Sequence, residues 1–146
     1  MELSMTKNML VFMFSVCGLA TVVALDARPA EADLDLPHAR VAELMKKPLP
    51  DIAGKEVEMI RVEFKPGAVD PVHRHDAHAF VYVLEGSIVM GLQGGKEVTL
   101  NPGDTFYESP NDIHTVGRNA SKTKPAKFLV TLLKKQGAPV VIPVPQ

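Results

Sequence analysis

Three of the chain's five histidines, His73, His75 and His78, fall in the single stretch PVHRHDAHAFVYVLEG, from Pro71 to Gly86. Side chains two apart on an extended strand point to the same face. His73 and His75 therefore project together, about 7 Å apart along the strand. Two imidazoles so placed can converge on one ion of iron, copper, zinc, nickel or manganese. The pair alone could equally be two surface histidines beside a turn. A fourth histidine, His114, lies in PGDTFYESPNDIHTVGRN, a stretch with turn signals at Pro102-Gly103 and Pro110-Asn111. A hairpin there could carry His114 back to the first pair. His38 stands alone in the sequence and is expected to be exposed, without a role in a site.

Other polar residues near these motifs could also do chemistry. Glu108 sits on the strand before His114 and shares a face with Phe106 if that strand is regular. It could be a fifth ligand, an acid behind the ligands or a proton acceptor, or simply a carboxylate at the rim. Tyr82 and Tyr107 could donate a hydroxyl to a bound substrate, or pack their rings in the fold or at a dimer face. Glu108 and Tyr107 are the catalytic candidates. Arg74 points away from its flanking histidines. Asn119-Ala120-Ser121 matches a glycan acceptor, which matters only in a eukaryotic secretory route.

The elements that must hold these residues read as strands. KEVEMIRVEF, from Lys55, alternates charged and apolar residues, with Val57, Met59 (then Ile60), Val62 and Phe64 as its apolar set. AFVYVLEGSIVMGL, TFYE, IHTVG and AKFLVTLL follow as further strands, separated by turns at Lys65-Pro66-Gly67, Gly94-Gly95 and Asn101 to Asp104. HARVAELMKK is expected to be a short helix, with Val41, Leu44 and Met45 on one side and Pro48 and Pro50 ending it. The Pro-rich tail GAPVVIPVPQ is confined to an edge or surface path. The division is an extension over 33–54, a barrel over 55–135 and a tail over 136–146. Many short strands at close spacing mean an all-β sandwich or barrel. Trp is absent, so Val, Leu, Ile and Met must build most of the core. A formal net charge of −1 with no basic face excludes nucleic acid as a partner. No Gly-rich phosphate loop, Gly-x-Ser-x-Gly elbow or Cys-x-x-Cys pair is present.

The N-terminus has a separate purpose. Lys7 precedes an apolar run from Met9 to Leu25, followed by small residues at Ala30 and Ala32. This predicts a signal peptide over 1–32, cleaved before Asp33 or, as second choice, after Ala27. An uncleaved membrane anchor is the competing reading, because the run approaches spanning length. The one cysteine, Cys17, follows Val16 and so does not suit lipidation. The cleaved chain would have no disulfide and no cysteine nucleophile. It would be periplasmic or secreted, with no membrane partner.

Gly67, five residues, His73-Arg74-His75 and then YVLEG ending at Gly86 resemble the first motif of the cupin superfamily. Gly103-Asp104, Pro110 and His114 resemble the second. The two motifs and the strands between them run from Glu56 to Leu133. The resemblance implies a jelly-roll barrel, a double-stranded β-helix. It implies His73, His75 and His114 as ligands of one divalent metal ion, whether iron, manganese, nickel, zinc or copper. It also implies a homodimer. The family's carboxylate ligand falls at Ala79, which should face the metal but cannot bind it. His78 is one residue early, yet a bulge at Asp76-Ala77 could turn it inward. A four-histidine site is thus the preferred expectation over a three-histidine site with open positions. In the second motif the usual Gly after the Pro is missing, and the closing Asn is displaced to Asn119. The implied activity is that of a dioxygenase or related oxidoreductase on a small organic molecule. A non-enzymatic ligand- or metal-binding protein is the alternative, as is a sugar-type isomerase or epimerase with Glu108 as its base.

Overall fold

The computed structural model describes residues 33–145, and the predicted signal peptide lies outside them. The described residues contain eleven strands and no helix. They are β1 Asp33–Asp35, β2 Ala39–Pro48, β3 Lys55–Phe64, β4 His73–Arg74, β5 Ala77–Glu85 and β6 Ile88–Leu92. After these come β7 Val98–Leu100, β8 Thr105–Glu108, β9 Ile113–Asn119, β10 Ala126–Lys135 and β11 Ile142–Pro143. They form a six-stranded sheet in the order β1-β2-β3-β10-β5-β8 and a five-stranded sheet in the order β11-β4-β9-β6-β7. Strands close in sequence repeatedly pass from one sheet to the other, and every pairing is antiparallel. This is the jelly-roll barrel that the sequence predicts.

Alternation decides what lies between the sheets. On β10, residues Ala126, Phe128, Val130, Leu132 and Lys134 face inward. On β5 the inward set is Ala77, Ala79, Val81 and Val83. Phe64 and Phe128 meet edge to face with ring centroids 5.0 Å apart, a favoured aromatic geometry. Gly86 closes β5 with φ 70°, and a Cβ there would stand 2.6 Å from the Pro125 carbonyl oxygen. No other residue fits that turn without displacing backbone.

Two local expectations are corrected. The inward face of β3 is Glu56, Glu58, Ile60, Val62 and Phe64, not the face bearing Val57 and Met59. Adjacent Met59 and Ile60 cannot share a face, and the run Ile60, Val62, Phe64 fixes the parity. The two glutamates carried inward are matched by Lys134, whose Nζ lies 2.5 Å from Glu56 Oε1 and 2.9 Å from Glu58 Oε2. Lys134 is only 1% exposed, so its charge depends on those two partners. The expected helix over HARVAELMKK is strand β2, paired along β3 with a bulge between Glu43 and Met45. Pairing with the free edge of β3 outweighs a modest local helix preference. Residues 33–54 thus add two strands to the larger sheet rather than standing apart from it.

Asn119 is buried, which removes it as a glycan acceptor. Its Nδ2 donates to the carbonyls of Lys65 and Lys124 at 3.1 and 2.8 Å, and its Oδ1 accepts from Ser121 N at 2.8 Å. It ties the end of β9 to the ends of β3 and β10. Asn119→Ala strands several buried backbone groups and should lower unfolding free energy by about 2–3 kcal/mol. Urea unfolding of the two proteins checks this. A loss below about 0.5 kcal/mol, the size of an ordinary surface substitution, would contradict it.

Candidate metal centre

The site stands where the two sheets face each other at one end of the barrel. β4 carries His73, and β9 carries His114 directly opposite it in register. His75 follows β4, two residues on and facing the same way. Glu108 ends β8 and pairs with Ala79 of β5. All four side chains are buried: His73 is 7% exposed, His75 6%, His114 3% and Glu108 2%. One ring nitrogen from each of the three histidines lies within 4.8 Å of the others. Glu108 Oε2 is 3.7 Å from both His75 Nε2 and His114 Nδ1. Sequence spacing found these residues, and the fold brings them together.

Their hydrogen bonds decide which nitrogens face the centre. His73 Nδ1 donates to the Pro71 carbonyl at 2.8 Å, and His75 Nδ1 donates to the Val140 carbonyl at 2.5 Å. In the neutral rings each Nε2 is then a bare lone pair, as a ligand nitrogen must be. His73 Nε2 stands 3.3 Å from His114 Nδ1. Two ring nitrogens this close must share a proton or face a common cation. Glu108 Oε2 and His114 Nε2 have no hydrogen-bond partner among the described residues, although both are buried. Neutral imidazoles with converging lone pairs beside an unsatisfied carboxylate oxygen suit a divalent ion. His73, His75 and His114 could hold it, with Glu108 alongside.

Burial dominates the proton affinities. It pushes the Glu108 carboxyl up to about 7, helped by the charges of Asp112 and Asp70. It pushes His114 down to about 4, helped by the neighbouring His73. His75 is lowered too, chiefly by burial. These shifts disfavour charge on His75 and His114 and let Glu108 hold a proton near neutrality.

The expected four-histidine set is corrected. β5 is regular from Ala77 onward, so His78 points outward, between the inward-facing Ala77 and Ala79. Its Nδ1 meets the Tyr107 hydroxyl at 2.7 Å, and the two rings stack. Tyr107, expected near substrate, is therefore on the outer face with His78, and Tyr82 is exposed there as well. Ala79 faces inward and is fully buried. Its cross-strand partner is Glu108, and residues so paired have their Cβ atoms about 5 Å apart. The carboxylate missing at Ala79 is thus supplied from the next strand, into space a larger side chain at 79 would fill.

Three contributors were missed or undervalued in the sequence. His38 is not isolated: its Nε2 lies 3.0 Å from Asp70 Oδ1, and both residues line the cavity beside the histidines. Asp70 sits in the loop before His73, and an acid in that spacer was the available signal. The Val140 carbonyl, 65 positions from His75, left none. The cavity itself has a volume of about 460 Å³ and a mainly apolar wall that includes Val62, Val81, Met90, Phe128 and Val130.

The shifts set the pH behaviour of metal-free protein. A carboxyl raised to about 7 stabilises the fold below its unfolded value of 4.5 and loses that contribution as pH rises through 7. A histidine lowered to about 4 stabilises above 6.5 and loses its contribution as pH falls through 4. Between pH 4.5 and 6.5 the two oppose each other, which flattens the profile. Glu108→Gln removes only the carboxyl contribution. In chelator, this variant should melt above the parent protein at pH 8, and its advantage should shrink steadily toward pH 4.5. A constant difference across that range would show that Glu108 is not titrating as described.

Comparison with known proteins agrees with the geometry. The Pectin degradation protein KdgF of Dickeya dadantii is 34% identical over 62 residues, covering 42% of this chain and 56% of that protein. The match thus spans little more than half of that relative's length. The structure of KdgF from Halomonas sp. superposes with a TM-score of 0.58 at 21% identity, covering 71% of this chain and 88% of that one. The polyketide cyclase RemF from Streptomyces resistomycificus gives 0.57 at 23% identity, covering 75% and 73%. Both structures share the fold. The family model described as Cupin domain matches residues 60–132, half of the chain and the stretch that holds all three histidines and Glu108. The chain belongs to the cupin family.

Proposed function

We propose that the protein is a metal-dependent enzyme that moves a proton on a small organic substrate, with Glu108 as the acid–base group. One observation carries this reading: the buried Glu108 carboxyl stands within 3.7 Å of two imidazole nitrogens, on the wall of a mainly apolar cavity. A general base must stand within reach of the proton it moves. A bound ion would act as a Lewis acid toward an oxygen of the substrate. The residues of the chain do the rest. The three imidazoles would hold the ion, Glu108 takes or returns the proton, and the apolar wall excludes water and holds the substrate's body. The likeness to a pectin degradation protein adds pectin-derived compounds to the substrates worth screening first. The apolar wall favours less polar compounds.

A dioxygenase or related oxidoreductase is the second reading, favoured by a donor set of three histidines joined by no fourth imidazole among the described residues. Metal-loaded protein should catalyse hydrogen–deuterium exchange or elimination in at least one member of a panel of small carbonyl and carboxylic acids, without oxygen. Glu108→Gln should slow that reaction about 10²–10⁴-fold while retaining metal. Turnover that consumes oxygen stoichiometrically and survives Glu108→Gln would replace this reading with the second. Failure of any substrate to turn over would favour a binding protein.

Export and pairing belong to the same reading. Export rests on the apolar run before Ala30-Glu31-Ala32. Pairing rests on the exposed Phe80, Tyr82 and Tyr107 on one sheet face. Protein recovered from the periplasm or medium of its host should begin near Asp33 by intact mass and sediment at twice the chain mass. A full-length, membrane-retained monomer would count against both.

A further inference from the structure

The tail that sequence reasoning confined to an edge or surface runs beside the metal centre. It leaves the six-stranded sheet at Lys135, turns at Gly137 with φ 75°, and joins the five-stranded sheet as β11. There Ile142 pairs with Arg74, and Pro143 with His73. Two bonds fasten its start. Gly137 N donates to Glu56 Oε1 at 3.1 Å, and Lys134 Nζ donates to the Ala138 carbonyl at 2.6 Å. Farther along, the Val140 carbonyl receives His75 Nδ1, while Val140, Val141 and Pro143 line the cavity.

We propose that this C-terminal segment is a positioning strap for the metal centre: the Val140 carbonyl holds His75 with Nε2 toward the site, and the Glu56–Lys134 pair fixes where that carbonyl stands. The inference rests on the metal reading above. His75 lies between β4 and β5, outside any strand, so no ladder of backbone bonds fixes its ring. A neutral imidazole chooses its tautomer by the hydrogen bond its other nitrogen makes. For His73 that acceptor, the Pro71 carbonyl, comes from two residues away. For His75 it comes from 65 residues away and only by way of the tail. Without the strap, the His75 Nδ1 proton has no partner and either nitrogen can carry it. The ring loses its fixed aim, and the cavity loses part of its apolar wall. The buried lysine thereby acts on His75 through the chain.

Cobalt(II) titration followed by visible absorption tests the strap on four samples. These are the full chain, a chain ending at Ala138, that shortened chain with a synthetic peptide of residues 138–146 added, and a semisynthetic full chain with an ester between Val140 and Val141. The ester carbonyl is a weaker acceptor but leaves every side chain in place. The full chain should take up one cobalt ion. Shortening should weaken binding about 10–100-fold, the usual cost of losing a partner that orients a ligand. The peptide should restore binding. The ester should weaken it by a smaller factor while lowering the melting temperature of the metal-free protein by only a few degrees. Unchanged cobalt affinity in both the shortened and the ester chains overturns the strap. If the shortened chain does not fold, the ester chain alone decides. A full chain that takes up no cobalt overturns the metal reading itself, and the strap with it.

Discussion

Burying ionisable groups inside an apolar barrel is the constraint on which the rest of this structure depends. Desolvation penalises charge, so each buried group must be paired, neutral or bound to a cation. The barrel contains both solutions a few residues apart. Glu56 and Glu58 face inward on β3, and the Lys134 ammonium lies between them. That cluster supplies its own cation. The histidine cluster does not: burial disfavours the charged form of His75 and His114, and it drives Glu108 to hold its proton. A protein that only needed filling there would have used apolar side chains, which cost nothing to desolvate. Retaining three imidazoles that converge beside one carboxyl makes sense as the donor set of a cation with an acid–base group alongside.

Strand parity distributes these roles. On β5 an alternation of two sends Ala77, Ala79, Val81 and Val83 inward, and His78, Phe80 and Tyr82 outward. The same rule makes Ala79 the cross-strand neighbour of Glu108. Two inward carboxylates at that point would repel one another in a low dielectric. One carboxylate opposite one alanine satisfies both the space and the charge. The chain thus keeps an acid at this level of the barrel while moving it to a neighbouring strand, where it ends β8 rather than standing mid-strand.

Much of the fold and part of the site are legible in the sequence because they depend on local spacing. The His73–His75 step, the turn residues and the alternating runs of β5 and β10 all report parity directly. The failures have a common cause, which is long-range pairing. HARVAELMKK has acceptable helical spacing and becomes a strand because β3 offers it an edge. The phase of β3 is set by the run Ile60, Val62, Phe64, but that phase carries Glu56 and Glu58 inward, and the Lys134 that matches them arrives 78 residues after Glu56. His78 lies close enough to the ligands in sequence to invite a bulge, and only the regular register of β5 sends it to Tyr107. His38 acquires a partner because the turn before β2 lies over the loop holding Asp70.

The placement of the centre links metal to fold. His73 and His114 belong to the five-stranded sheet, and Glu108 belongs to the six-stranded sheet. A cation held among them would join the two layers at the end where the apolar core gives way to polar side chains. Binding energy at such a point adds to folding energy, because the unfolded chain offers no such set of donors. The same linkage limits the chemistry. A centre that also holds the sheets together cannot open widely to admit substrate. Access must then come through the cavity wall built by the N-terminal strands, the Asp70 loop and the tail. The rigid sheets fix the ligands, and the peripheral segments decide what reaches them.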